Sequence, residues 1–460
     1  MLSILDRERT VAPPGYNRWL VPPAALAIHL SVGQAYAFSV FNTPLTKLLG
    51  ITHSAPGDWN KVQIGWIFSL AIVCLGLSAA VFGKWMEAAG PRKAMLASAL
   101  CFGSGFLVAA LGLGLHLLPL VYLGYGVLGG IGLGLGYISP VSTLIKWFPD
   151  RPGMATGLAI MGFGGGALIG APLEDALMKH FASASDIGIV QTFLVMGVLY
   201  FVVMMFGVFT IRVPAEGWKP DGYVPAAQTN ALVTTHGVTA TEAIKTPQFW
   251  LLWGVLFFNV TAGIGLLYSA SPMIQDLFPG RVTPAAAAGF VGLLSLFNLA
   301  GRFLWSSLSD TIGRKSAYLI YFVLGFVLYI LVPIAAHLGS IGLFIGSAAL
   351  IISMYGGGFS TAPAYLRDLF GTLQVGAIHG RLLTAWSAAG IAGPLLFTTL
   401  SKYQESQHIA PTLSYNLPLH IMADLLVLGF ICNLLVRPVA PVYYAETNSV
   451  NVLKEEAVHG

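Results

Sequence analysis

Arg302 lies well inside the hydrophobic stretch 285–308. A cation at such a depth costs roughly 2.5–3.5 kcal/mol on insertion scales and implies an anion to hold. A guanidinium can give a carboxylate two parallel N–H bonds, so binding of a small organic acid is the chemistry this position suggests. The bland alternative is snorkelling, because Arg302 precedes Asp310 by about 12 Å of helix. Against it, Asn298 falls one turn earlier, and Ser295 and Ser306 extend the same stripe into a polar face that lipid would not tolerate. Further candidates to line a central path are Ser31, Gln34, Phe38 and Asn42, on one helical face of the first segment, and Tyr355 and Phe359, on one face of the tenth. His29 and Asp424 are the titratable groups placed to carry a proton. A histidine there serves equally well as a hydrogen-bonded packing residue.

The elements that position these residues are membrane helices. At 56% hydrophobic and 9% charged over 460 residues, with a mean hydropathy of +0.77, the composition excludes a soluble globular protein. Apolar runs of spanning length read at roughly 18–41, 62–82, 94–115, 118–145, 154–176, 188–211, 248–272, 285–308, 316–336, 341–366, 376–400 and 418–436, an all-α protein of twelve transmembrane helices. The first follows a polar stretch without a small-residue cleavage site and reads as a permanent span. Most of the 23 Lys and Arg residues fall on the side that carries both ends of the chain. The positive-inside rule makes that side cytoplasmic, in a plasma membrane of the bacterial inner-membrane kind. Cys74, Cys101 and Cys432 all lie within spans and suggest neither disulfides nor a metal site.

An internal repeat divides the chain. Glu87-x-x-Gly90-x-Arg92-Lys93 recurs 223 positions on as Asp310-x-x-Gly313-Arg314-Lys315, and Gly153-x-x-x-Gly157 recurs at the same offset as Gly376-x-x-x-Gly380. Between them Gly134-x-Gly136-Tyr137 and Phe148 return as Gly356-x-Gly358-Phe359 and Phe370, so Tyr137 and Phe359 are repeat-related. Landmarks in one order at nearly one spacing, 222 to 223 positions, mean two copies of a six-helix unit with a midplane site, the parallel-repeat plan of a twelve-helix transporter. The expected divisions are a cytoplasmic segment 1–17, an N-terminal bundle 18–211, a cytoplasmic linker 212–246 marked by Pro214, Pro220 and Pro225, a C-terminal bundle 247–437 and a polar tail 438–460. Carboxylates Glu87 and Asp310, beside Arg92 and Arg314 at helix ends, could latch one conformation and release another, although basic anchoring would place the same cations there.

On these motifs the chain resembles the major facilitator superfamily, and within it the oxalate:formate antiporters and the monocarboxylate porters. The resemblance runs from about Trp19 to Arg437. Its carriers include Gly33-x-x-Tyr36-Ala37, Lys146-Trp147-Phe148-Pro149, Asn298-x-x-Gly301-Arg302 and Tyr355-Gly356-Gly357-Gly358-Phe359. The resemblance implies an alternating-access transporter of small organic anions, with Arg302, Asn298, Tyr355, Phe359, Tyr137, Gln34 and Trp386 as substrate-binding candidates. Two departures shape the expectation. Trp386 stands where the oxalate transporter's eleventh-helix lysine would fall, which favours monocarboxylates such as lactate, pyruvate or formate over a dicarboxylate:monocarboxylate exchange. Asn298 stands where the porters carry a proton-bearing aspartate, so antiport and proton symport both stay open, with His29 and Asp424 as replacement carriers.

Gly124-x-Gly126-x-x-Gly129 satisfies a dinucleotide-binding pattern, but inside an apolar helix its glycines serve packing. With no metal cluster, nucleophile–base pair or phosphate loop, an enzyme, a cofactor and a nucleic-acid partner are all disfavoured. A transporter-like nutrient sensor is the remaining rival class; it would carry a sizeable soluble extension, and neither terminal stretch is long enough to fold as one. The expected partners are the lipid bilayer and a small organic anion, with a proton or counter-anion as co-substrate, and the expected state is a monomer.

Overall fold

The computed structural model describes residues 2–223, 232–410 and 412–445. Pro225 of the expected linker, and 446–460 of the expected tail with Lys454, lie outside the described residues. Among the described residues twelve helices are long and apolar enough to cross a membrane: α1 Arg18–Leu45, α2 Lys61–Ala89, α3 Pro91–Gly114, α4 Leu118–Trp147, α5 Pro152–Phe181, α6 Ile189–Thr210, α7 Pro247–Leu277, α8 Ala285–Ile312, α9 Arg314–His337, α10 Ile341–Phe370, α11 Val375–Ser406 and α12 Asn416–Leu435. Several run past the apolar stretches the sequence marks. α2 continues through Lys84 and Glu87, because a helix keeps its backbone bonds beyond the hydrocarbon.

Local chemistry fixes where helices begin and end. Asn60 and Gln63 form a reciprocal capping box at the start of α2, and Thr246 followed by Pro247 starts α7. The two copies of the loop motif each turn on a single glycine. Gly90 (φ +89°) ends α2 and begins α3, and Gly313 (φ +85°) does the same for α8 and α9. A left-handed φ at a one-residue hinge favours glycine, and this is why the repeat keeps it.

Among the described residues α1 and α4 depart from regular α geometry, and α11 is interrupted at Leu383. Within α1, Val21–Val32 is α-helical and Gly33–Phe41 follows 3-10 geometry. The single face expected for Ser31, Gln34, Phe38 and Asn42 therefore breaks up, since side chains precess differently at three residues per turn. Ser31 bonds back to the Ala27 carbonyl at 2.8 Å, Phe38 packs against Tyr125 at 4.7 Å, and Asn42 is exposed. In α4, Tyr122–Gly129 is π-helical and spans the dinucleotide-like glycines. A Cβ on Gly124 would stand 2.7 Å from the Gly105 carbonyl of α3, and one on Gly126 3.0 Å from Leu70 Cβ of α2, so these two glycines serve close helix contact.

The chain forms two compact units. Unit 1 comprises Met1–Trp147, Leu158–Trp218 and His379–Ser387; unit 2 comprises Phe148–Gly157, Lys219–Ile378 and Ala388–Gly460. Inside unit 1, α3 packs on α6 through Gly103 and Gly197, and α4 packs on α2 through Gly130 and Gly134. Inside unit 2, α8 packs on α10, α7 on α12 and α9 on α12. Two short pieces join the unit they hydrogen-bond with. The amides of Gly153 and Met154 donate to Asp310 in unit 2, and Ser387 donates to the Ile72 carbonyl in unit 1.

Candidate functional site

In unit 2 the expected Arg302 cluster is assembled by close contact between α8 and α10. A Cβ on Gly356 would stand 2.6 Å from Asn298 Oδ1, and one on Gly357 would stand 2.6 Å from Trp305 Cβ, so Gly356 and Gly357 let the two helices meet closely. Arg302 is fully buried. Its Nε donates to Asn298 Oδ1 at 3.1 Å, and its guanidinium carbon lies 5.3 Å from the centroid of the Phe359 ring. Ser306 and Ser360 both donate to the Arg302 carbonyl, at 2.5 and 2.6 Å, so backbone and side chain are fixed together. Tyr355 packs edge-on against Phe359 at 5.3 Å, into space that Gly263 of α7 leaves. The Asn298 contact uses one of the five guanidinium donors, and a carboxylate takes two in parallel.

The loop motif is built differently in its two copies. In unit 2, Asp310 accepts from the amides of Gly153 and Met154, both at 2.8 Å, and from Arg314 Nη2 at 2.6 Å. Arg314 also reaches Asp368 at 3.1 Å, and Arg367 pairs with the other oxygen of Asp368. In unit 1, Glu87 pairs with Lys146 at 2.7 Å and accepts from Ser142. Arg92, by contrast, donates to the carbonyls of Ile4, Phe209 and Ile211, so that it caps the C-terminal end of α6. Glu87 and Arg92 thus have separate tasks, whereas Asp310 and Arg314 form the pair the sequence suggests.

The remaining candidates in unit 1 form two groups. Tyr137 and Trp386 are buried in an aromatic cluster: Trp386 lies 5.5 Å from Tyr137 and 5.4 Å from Phe163, ring to ring. His29 stacks on Tyr137 and faces two carbonyls, Ala159 at 2.5 Å and Tyr137 at 3.0 Å. A neutral imidazole can donate to only one of them, so in that form the ring ties α1 to either α4 or α5 by a hydrogen bond. Gln34 stands apart from that cluster. Its Nε2 donates to Glu174 at 2.7 Å and its Oε1 accepts from Tyr125 at 3.3 Å. Asp424 lies on the exposed face of α12, with Val427, Leu428 and Ile431.

Glu174 is the residue the sequence reading passed over. It is fully buried in the fifth span. The sequence carries a signal for it, because Gly162, Gly166 and Gly170 fall every fourth position and Glu174 continues the stripe. That stripe is the face of α5 that meets α1: a Cβ on Gly162 would stand 3.0 Å from His29 Cβ, and one on Gly166 2.5 Å from the Leu30 carbonyl. Among the described residues no group of His, Cys, Asp or Glu is placed to hold a metal ion.

Known proteins agree with this architecture. The chain is 29% identical over 381 residues to the oxalate:formate antiporter of Oxalobacter formigenes, covering 82% of this chain and 83% of that one. It is 24% identical over 391 residues to apicoplast pyruvate carrier 1 of Toxoplasma gondii, covering 74% and 70%. The solved structure of the Escherichia coli transporter FucP superposes with a TM-score of 0.64 at 15% identity, over 91% of this chain and 99% of that one, a likeness of fold. The relatives are transporters and not enzymes. Twelve spans in this arrangement, together with a sequence match over residues 24–447, make this multi-pass membrane protein a member of the Major Facilitator Superfamily.

Proposed function

We propose that the protein is a secondary active transporter of small monocarboxylates such as lactate, pyruvate or formate, working by alternating access with Arg302 binding the carboxylate. The observation that carries this reading is the buried guanidinium itself, aligned by Asn298 through Nε and by the face of Phe359. Tyr355 completes that wall, while Gln34, Tyr137 and Trp386 are the candidates from unit 1. In the expected division, 18–211 and 247–437 are the two halves that alternate and 212–246 is their cytoplasmic linker. Asp310 and Arg314 are the latch, holding the amides of Gly153 and Met154 in one state and releasing them in the other.

Charge balance supports a monocarboxylate. A second carboxylate brought out of water needs its own cation, and an unpaired buried anion costs several kcal/mol even after relaxation. Trp386 supplies no charge, and Arg302 is the Lys or Arg set at the middle of a span. The second reading, exchange of a dicarboxylate for a monocarboxylate, is favoured by the 29% identity to an oxalate:formate antiporter. Competition against labelled pyruvate uptake in proteoliposomes separates the two. Formate, lactate and unlabelled pyruvate should compete more tightly than oxalate; tighter competition by oxalate than by every monocarboxylate refutes the proposal.

A further inference from the structure

We propose that Glu174 is a proton-carrying residue that couples anion movement to the proton gradient; this rests on the transport reading above. Three irregular pieces of helix converge on it within unit 1. Gln34 lies on the 3-10 stretch of α1, Tyr125 on the π-helical stretch of α4, and Pro172 interrupts the backbone bonding of α5 two residues before Glu174. Such departures in membrane helices recur where a helix must hold or release something, since the freed backbone groups need partners.

The carboxyl group is enclosed and incompletely bonded. Glu174 has no exposed surface, its Oε1 accepts from Gln34 Nε2 at 2.7 Å, and its buried Oε2 has no hydrogen-bond partner. The amide that holds it is itself oriented by Tyr125. Among the described residues no cation is paired with it. A carboxylate in that setting bears its full desolvation cost with one hydrogen bond to offset it, whereas a carboxylic acid does not. The enclosed form is therefore the protonated one, with the proton on Oε2. Losing it requires water to reach Oε2, which ties deprotonation to an opening of this pocket. Per cycle, carboxylate plus one proton gives the neutral acid on the loading side. The reverse occurs on the release side, so one monoanion and one proton move together without net charge.

The groups that face Glu174 leave it as the titrating member. From α1 comes the neutral Gln34, and from α4 and α6 come the phenols of Tyr125 and Tyr200, both close enough to interact with it electrostatically. A Cβ on Gly170 would stand 3.4 Å from Tyr200 Oη and from Gln34 Cγ, one turn below the carboxyl. On α5 itself Asp175 is engaged by Lys179 at 2.6 Å on the outer side. The other titratable groups of α1 lie further along α5: Tyr36 meets Phe163, about 16 Å of helix away, and His29 meets Ala159, about 22 Å away.

The test uses proteoliposomes and labelled pyruvate. In the wild type, exchange at equal pH should proceed, and a one-unit inward proton gradient should drive accumulation of about tenfold for one proton per anion. Glu174→Gln keeps the shape and the acceptor for Gln34; it should retain exchange and lose the gradient-driven accumulation, and Glu174→Asp should restore part of it. Accumulation that persists in Glu174→Gln overturns the inference while leaving transport intact, as does loss of exchange together with accumulation in a correctly inserted variant. Failure of the wild type to exchange any monocarboxylate overturns the transport reading itself, and this inference with it. Should Glu174→Gln not reach the membrane, adducts of dicyclohexylcarbodiimide, which attacks buried protonated carboxyls, decide the matter in the wild type. An adduct on Glu174 that declines with rising pH is expected, and its absence at every pH refutes the assignment.

Discussion

Arg302→Lys keeps a cation in the eighth span and removes the planar fork, so it isolates what the guanidinium contributes beyond charge. Nε holds Asn298 and the flat group lies over Phe359, two contacts that an ammonium cannot reproduce together. The expected loss is that of a hydrogen bond to a charged group, about 1.5–3 kcal/mol, or on the order of 10- to 100-fold in the KM for the anion. The measurement is initial uptake at matched expression; wild-type rates in both Arg302→Lys and Arg302→Gln would remove Arg302 from the site. Arg302 was legible in the sequence because a lone cation in an apolar run is conspicuous by cost. Glu174 was not, although it bears the same kind of cost. The periodicity that marks it is carried by glycines, which equally signal plain packing. Its partner Gln34 sits on a stretch whose 3-10 geometry alters which residues share a face.

At the scale of elements, the repeat makes a paired prediction. Gly90 and Gly313 occupy equivalent one-residue hinges at φ +89° and +85°. Putting alanine at either costs about 1–3 kcal/mol, because with ψ of 161° and 151° the backbone lies in a region essentially reserved for glycine. The surroundings differ. A Cβ at Gly313 meets nothing within 4 Å, while one at Gly90 stands 3.0 Å from Arg7 Cβ. Thermal unfolding in detergent should therefore show both variants destabilised, Gly90→Ala more than Gly313→Ala; unchanged melting in both would mean that the hinges relax freely. The sequence located all twelve helices, since hydropathy over a spanning length is a strong signal, and it located these hinges through the repeat. It did not locate the helix ends, because α2 and α10 carry on past the hydrocarbon with polar residues such as Glu87 and Arg367. Nor could it tell that Glu87 would pair with Lys146 while Arg92 capped α6. Both choices depend on which carbonyls and cations tertiary packing brings near.

For the molecule as a whole, the distribution of basic residues predicts an orientation. Twelve spans among the described residues is an even number, so the two ends of the chain are expected on one side of the membrane. The helix ends and short connections expected on that side hold Arg92, Lys93, Lys146, Arg151, Arg314, Lys315 and Arg367, while those on the other hold Lys47, Lys61, Lys179, Arg281 and Lys402. Several of the former are also bound into the fold: Arg92 and Lys315 cap carbonyls at helix ends, and Arg314 and Arg367 share Asp368. Structure and insertion thus use the same residues, since a guanidinium that caps a helix terminus also resists crossing the bilayer. The prediction is that both termini are cytoplasmic in a bacterial host. A green fluorescent protein fused after Gly460 should fluoresce, and alkaline phosphatase fused there should be inactive. Phosphatase fused instead in the α5–α6 connection, near Ser185, should be active. The reverse pattern would place the Asp310–Arg314 latch on the outer face and exclude it as a cytoplasmic one.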